Sequence, residues 1–503
     1  MREREQRAYE RELEHRRAAF WTINFDVSAE RCLHINGHPV LAARRKCVQP
    51  TLHEEACRID RNDGQSGLVA MKARKPPSSR KKVNDMRTYC KKADPTNIET
   101  IMPGVWNAFR RKWGRNDYGE MFRQYSGLTR EQVRRIIDED HHAMYNKKLE
   151  PGIRAIAIDA ANRIKRRKLD LDPVRYENRR DPGSNKLRLV GIESPMHQVL
   201  DHICVWCMMD LFNAKIEPCQ FASLESRGAV KGAHLIATWV KQDNDKAWYC
   251  TENGYRYSKS TEYYIQGDVR KCYPSMKRDV VMKLLEHDIS KNDTILWLTN
   301  ELLSMHEHGF IIGSLLSQFL CNYIMSFCIR EAFGMKKERR GKAVKLVHHQ
   351  VWYMDDFILT GPDSRNLKMA YTRLGKVMKD RFGLELKPAR VVRWCEKAPD
   401  IMGYVIHSDG TITIRPRNYL KARRIYTRAG NRSTMSLEQA HLVVSYNGFF
   451  KNSDCKEESK KLKVEEITNR AKRLISDYDT GRLFQCIPRL SSIPVSPLPS
   501  PGS

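Results

Sequence analysis

The chain has 503 residues, 41% of them hydrophobic, and carries 89 Lys and Arg against 60 Asp and Glu, a formal net charge of +29. Its length fits two to four structural units with a sizeable core, and so large a positive excess favours polyanions, nucleic acid above all. No run of about 18 apolar residues is present, which argues against a transmembrane helix and a membrane partner. The 14 cysteines and the start Met1-Arg2-Glu3-Arg4-Glu5, without an apolar signal segment, predict a reducing, cytoplasmic setting.

Taken in chain order, residues 1–85 read as a basic N-terminal extension and linker. Residues 2–17 form a helix-prone run dense in Arg and Glu, either a solvated helix or a nucleic-acid arm. Cys32, His34, His38, Cys47, His53 and Cys57 are potential zinc ligands, but their spacing matches no standard finger, and separate, unrelated residues are the simpler reading. Residues 72–82, with Pro76-Pro77 among Lys and Arg, read as a flexible basic linker.

From about 86 to 180 the pattern is helical and basic. Residues 106–113 set Arg110, Arg111 and Lys112 beside tryptophans, Thr129-Arg130-Glu131-Gln132 predicts a helix start capped by Thr129, and residues 164–168 form a basic cluster suited to phosphates. Cys204 and Cys207 have zinc or redox spacing, but they sit in an apolar helical pattern without a second pair, which favours core cysteines. Residues 415–485 read as helical and basic, and 487–503, rich in Pro and Ser, as a disordered tail.

Chemistry concentrates in three carboxylates. Tyr353-Met354-Asp355-Asp356 lies between apolar stretches and reads as strand, turn, strand. Adjacent aspartates in a turn are commonly solvated. Held close together, however, they repel and raise each other's pKa unless a cation lies between them. Residues 263–269 read as a strand ending in Asp268, whose position also suits a helix N-cap. Three aspartates from neighbouring strands can hold two Mg2+ ions, with Mn2+ as the alternative, and such a pair serves in-line displacement at phosphorus. Between them, apolar residues recur at 315, 316, 319, 320, 323, 324, 327 and 328, one face of a helix with Gly313 and Ser314 at its N-terminus. Core packing accounts for that face, though not for Ser317 and Gln318.

The order of these segments resembles the palm of a reverse transcriptase. Asp268 followed by Tyr273 resembles the family's first palm motif, and residues 313–318 its template- and nucleotide-contacting helix. Tyr353-Met354-Asp355-Asp356 is similar to its catalytic turn, residues 382–388 to the next motif, and Met402-Gly403-Tyr404 to its primer-grip hairpin. Upstream, Lys186-Leu187-Arg188 resembles the basic fingers strand, and residues 226–234 the following fingers motif. The resemblance spans roughly residues 90–450.

It implies an α+β, right-hand polymerase fold, with fingers and palm over 86–405 and a helical thumb over 406–486. Asp268, Asp355 and Asp356 would bind the metals together with the Val269 carbonyl. Tyr273 would act as steric gate against the ribose 2′-OH, or else be a packed core aromatic. Lys186 and Arg188 would meet the triphosphate, and Gly313 and Gln318 would lie near the nascent base pair. The implied partners are an RNA template, a DNA or RNA primer and dNTPs, with a dedicated structured non-coding RNA as a further candidate.

The sequence departs from the family twice. Ser317-Gln318 stands where Ser-Pro is common, a variant similar to diversity-generating retroelement enzymes. Arg390 aligns where a Lys is usual, and because Arg stays charged it would stabilise pyrophosphate rather than protonate it, unless Lys387 takes that part. The expected activity is RNA-templated DNA synthesis in a bacterial or phage retroelement, of group II intron or diversity-generating type, or in an antiviral defence system. The alternatives are an RNA-dependent RNA polymerase and a non-catalytic, maturase-like RNA-binding protein.

Overall fold

A computed structural model describes residues 88–479 apart from 111, 140–145, 181–185, 225 and 308. The readings placed on residues 1–85 and 487–503, the six N-terminal Cys and His residues among them, lie outside the described residues. What is described mixes helices with antiparallel sheets.

Four helices open it: α1 (Ile98–Phe109), α2 (Asn116–Ser126), α3 (Arg130–Glu139) and α4 (Glu150–Lys165). The aromatic residues near Arg110 and Lys112 serve the core. Phe109 is fully buried, and its ring meets those of Trp113, Tyr118 and Phe122. Thr129 caps α3 reciprocally, as its sequence predicts: the Gln132 N–H donates to Thr129 Oγ1 at 3.3 Å and the Thr129 N–H to Gln132 Oε1 at 2.7 Å. Lys165, Arg166, Arg167 and Lys168 are exposed where α4 ends.

Next come the antiparallel pair β1 (Arg175–Arg180) and β2 (Leu187–Ile192), then α5 (Pro195–Cys207), α6 (Met209–Lys215) and α7 (Ala229–Glu252). Cys204 and Cys207 on α5 are buried core cysteines, Cys204 lying 3.2 Å from the Thr299 hydroxyl; burial pushes its thiol up to about 12. The chain continues through β3 (Tyr263–Asp268), α8 (Cys272–Ser275), α9 (Arg278–Asp288), α10 (Asp293–Ser304) and α11 (Leu315–Gly334). The small hairpin β4 (Lys336–Arg339) and β5 (Lys342–Lys345) leads to β6 (His349–Tyr353), β7 (Asp356–Gly361) and α12 (Ser364–Phe382).

β6, β7, β3 and β8 (Val391–Arg393) form an antiparallel sheet in that order. Both of its faces are covered. Ile265, Trp352, Phe357 and Leu359 join the core that holds α11 and α12, while Tyr264, Val351 and Ile358 join a second core with α7. The alternation follows the two-residue period of a strand and explains why these strands are apolar throughout. A three-stranded sheet of β9 (Asp400–Ile401), β10 (Tyr404–Ile406) and β11 (Ile412–Ile414) follows. Helices α13 (Pro416–Gly430), α14 (Leu437–Lys451), α15 (Lys456–Lys461) and α16 (Val464–Asp479) come last and share a third core. The helical region thus begins at Pro416, after the strands of this sheet.

One expectation changes. The apolar period at 315–328 predicts a helix with one buried face, yet α11 is buried on nearly all sides, Cys321, Asn322, Met325 and Ser326 included. A helix enclosed all round has no need of an amphipathic pattern, and here the polar members carry bonds. Asn322 Nδ2 donates to the Ala222 carbonyl at 3.1 Å, and the Ser326 hydroxyl to the Tyr323 carbonyl at 2.7 Å. Among the described residues no helix is long and apolar enough to cross a membrane.

Candidate functional site

The β6–β7 hairpin closes on two residues, Met354 and Asp355, because Tyr353 pairs with Asp356. Met354 takes a left-handed φ of 55°, a conformation that costs a side-chain-bearing residue roughly 1–3 kcal/mol and persists where the surroundings enforce it. On the other side of β7, β3 runs antiparallel with Asp268 directly opposite Asp356. The Val269 N–H donates to the Asp355 carbonyl at 3.1 Å, tying the turn to the end of β3. Gly267 is required beside Asp268, since a Cβ there would lie 2.2 Å from the Phe357 ring. Strand register therefore gathers three carboxylates at one end of the sheet. Asp268 ends a strand and is not an N-cap; Lys271 holds that place at α8.

Their electrostatics are unfavourable as they stand. Burial, reinforced by the Asp355 and Asp268 charges, pushes Asp356 up to about 6. Burial, with the Asp268 charge, also raises Asp355. Asp268 Oδ1 is buried and accepts no hydrogen bond, but the Lys387 ammonium lies 2.5 Å away as an ion pair. Lys387 is held there by main-chain pairing: its N–H donates to the Asp268 carbonyl at 2.9 Å, and the Arg270 N–H to the Glu385 carbonyl at 2.8 Å. Three hard oxygen donors, crowded and short of positive charge, fit Mg2+ or Mn2+.

Of the other predicted residues, Arg188 and Tyr273 lie within electrostatic reach of this centre. Arg188, exposed on β2, is near enough for its charge to oppose the rise at Asp355; Lys186, also exposed, precedes the same strand. Tyr273, on α8, is half-buried within the field of Asp355, and burial raises its hydroxyl strongly. Gly313 lies against β2: the Gly191 N–H donates to the Ile312 carbonyl at 3.0 Å, and Gly313 has φ 120°. Gln318 sits half-buried in the first turn of α11. Its neighbour Ser317 has a structural task, accepting the Ile311 N–H at 3.3 Å.

Two predicted groups stand apart. Arg390 is exposed, and among the described residues no ion pair joins it to the aspartates, whereas Lys387 pairs with Asp268. Met402 and Gly403 form the two-residue turn between β9 and β10, both with positive φ, as a tight hairpin requires. Tyr404 is buried there and meets the Phe449 ring. This hairpin is tied to β3 through Gln266, whose Nε2 donates to the Asp400 carbonyl at 3.0 Å.

The sequence reading missed a second cluster. Glu193, His197 and His306 are buried, and a ligating atom from each lies within 4.8 Å of the others, a group able to hold a metal ion. Asp201 adjoins it, its Oδ1 3.9 Å from His197 Nε2. The four-residue spacing of His197 and Asp201 on α5, repeated back to Glu193 just before the helix N-cap, was a usable signal; His306 comes from the distant connection after α10.

No family model matches the chain, and no curated protein matches it. Among solved structures it is similar to telomerase from Candida albicans in complex with a TWJ fragment of telomeric RNA, at 13% identity over 63% of this chain and 61% of that one, with a TM-score of 0.35. It is similar also to apo telomerase from Candida tropicalis, at 11% identity over 77% and 76%, TM-score 0.36. Candida tropicalis telomerase in complex with a TWJ fragment aligns at 10% identity over 68% and 64%, TM-score 0.37. The chain spans less than two thirds of the first and third of these. At such identities and scores, functional assignment rests on the residues themselves.

Proposed function

We propose that the chain is an RNA-directed DNA polymerase that extends a primer 3′-OH. The observation that carries this reading is the pairing of Asp268 opposite Asp356, with Asp355 in the adjoining turn. It supplies three converging carboxylates in the motif order of a reverse transcriptase. On this reading the β6-β7-β3-β8 sheet is the palm, the β1–β2 hairpin belongs to the fingers, and α13–α16 form the thumb. Fingers and palm would span 86–405 and the thumb 406–486, following an N-terminal extension over 1–85 and preceding a tail over 487–503.

Two Mg2+ ions bound there would supply activation of the 3′-OH and charge neutralisation at the leaving pyrophosphate. Asp268, Asp355 and Asp356, with the Val269 carbonyl, would hold them. Arg188 and Lys186 would neutralise triphosphate oxygens, and Lys387, already at the triad, is better placed than Arg390 to meet the leaving group. Tyr273 would exclude a 2′-hydroxyl by its bulk, with Gly313 and Gln318 against the nascent pair and Met402-Gly403-Tyr404 guiding the primer. The net charge of +29 suits an RNA template and a nucleic-acid primer. A bacterial or phage setting, as retroelement or defence enzyme, rests on the sequence resemblance alone.

Primer extension on an RNA template with Mg2+ tests the reading. We expect dNTP incorporation, and roughly tenfold or greater loss of dNTP-over-rNTP preference in Tyr273→Ala. Preference of the wild type for ribonucleotides would make it an RNA polymerase. Absence of incorporation with either sugar, on the chain's co-purifying RNA as well as on added template, would remove the catalytic reading.

A further inference from the structure

We propose that Glu193, His197, Asp201 and His306 form a closed, structural zinc site, separate from the three aspartates of the sheet. Glu193 Oε1 lies 3.7 Å from His197 Nε2 and 3.4 Å from His306 Nε2, and His197 Nε2 lies 3.9 Å from Asp201 Oδ1. A tetrahedral zinc with ligand bonds of 2.0–2.2 Å has ligand-to-ligand edges of about 3.3–3.6 Å; the Glu193–His197 and Glu193–His306 edges stand close to that, the ligating atoms of these three residues all lie within 4.8 Å of one another, and Asp201, outside that group, moves in further to complete the cage. The side chains of all four are almost wholly buried, at 2% exposure or less.

Without an ion one oxygen of each carboxylate and the imidazole nitrogens lack hydrogen-bond partners. Glu193 Oε1, Asp201 Oδ1 and both ring nitrogens of both histidines make no hydrogen bond. Each buried polar atom left in that state costs roughly 1–3 kcal/mol, a burden that protein interiors rarely carry in such a concentration. No Lys or Arg pairs with these carboxylates directly: among the described residues none forms an ion pair with Glu193 or Asp201, and the Lys112 ammonium, whose charge reaches Glu193, is bonded to Gln198 and Tyr118 instead. Zinc with two carboxylates and two neutral imidazoles is charge-balanced, and four protein ligands leave no open position, as a structural site requires. The outer shell orients one of them. Asp201 Oδ2 accepts the Ser314 hydroxyl at 2.6 Å and the Leu316 N–H at 3.2 Å, which leaves Oδ1 aimed at the histidines.

The position gives the ion a task. Glu193 directly follows β2, His197 and Asp201 lie on α5, and His306 belongs to the connection that leads to Ser314, the N-cap of α11. One zinc would staple the strand carrying Arg188 to the start of the helix carrying Gln318.

Metal analysis of the full chain, expressed with zinc and purified without chelators, tests the proposal alongside a His197→Gln/His306→Gln variant. We expect the wild type to hold about one more zinc per chain than the variant. Cobalt exchanged into the wild type should give intense tetrahedral visible bands without thiolate-to-cobalt charge transfer in the near ultraviolet. That signature separates this cage from any site built on Cys32, Cys47 or Cys57, and it decides the matter even if the variant does not fold. Wild-type protein free of zinc, undiminished zinc in a folded variant, or cobalt bound only with thiolate bands would overturn the proposal. None of these readouts depends on polymerase activity, so the zinc site stands or falls independently of the catalytic reading.

Discussion

Asp355→Asn is expected to reduce nucleotide incorporation by about a thousandfold or more, since it would remove one of the proposed metal ligands, worth several kcal/mol of transition-state stabilisation. RNA binding, on the proposed reading, should persist, because the basic residues that would supply it are untouched. The same substitution, and Asp356→Asn beside it, should leave the metal-free protein at least as stable as the wild type. Burial and the neighbouring charges hold Asp356 at about 6 against an ordinary 3.8. Between those values the folded state retains a proton that the unfolded state has lost. Stability in metal-free buffer therefore falls as pH rises from about 4 to about 6, and the full cost is present above that window. A neutral Asn removes the fall, and added Mg2+ offsets it. Melting curves with and without Mg2+ at pH 5 and pH 8 check both statements. The Mg2+-dependent rise in Tm should be larger at pH 8 and should shrink in Asp356→Asn. Equal responses in wild type and variant would mean that the three carboxylates do not form a shared cation site.

What the sequence made legible was local. Thr129 and Gln132 announce their capping box because both partners lie within one turn. Residues 263–269 and 357–361 read as strands because apolar runs bounded by turn residues are strand-like. Cys204 and Cys207 read as core because their neighbours are apolar. The misses share a cause, which is partnership between distant segments. Nothing near Lys387 shows that its N–H pairs with the Asp268 carbonyl, so the choice between Lys387 and Arg390 stayed open. The period at 315–328 is real, but a helix enclosed by α5, α12 and the sheet hides polar residues as well as apolar ones. His306 belongs to no motif and gains meaning only when the connection after α10 folds over α5. The proximity of the three aspartates was accessible because Asp268 and Asp356 sit at strand ends and Asp355 in the turn beside them, where register does the positioning.

Gly313→Val is expected to destabilise the chain by about 2–5 kcal/mol, the combined scale of an enforced unfavourable φ and of overpacking. Two constraints meet at this residue. Its φ of 120° is one that L side chains rarely adopt, and a Cβ would stand 2.6 Å from the Gly191 carbonyl oxygen. That oxygen is main chain, so relief requires β2 to move away from the loop that pairs Val190 with Ile312. β2 carries Arg188, whose charge reaches Asp355, and the loop leads to Ser314 and Gln318. Separating them should weaken nucleotide binding more than chemistry, with the KM for dNTP rising about tenfold and kcat falling less. Gly334→Ala is the matched control: at the end of α11, with nothing within 4 Å of an added Cβ, it should be neutral or stabilising by up to about 1 kcal/mol. Thermal melting and steady-state incorporation measured on both variants decide the matter. If Gly313→Val melts with the wild type, the β2–loop contact is not the constraint described; if it melts early with an unchanged KM, that contact supports the fold without positioning the nucleotide.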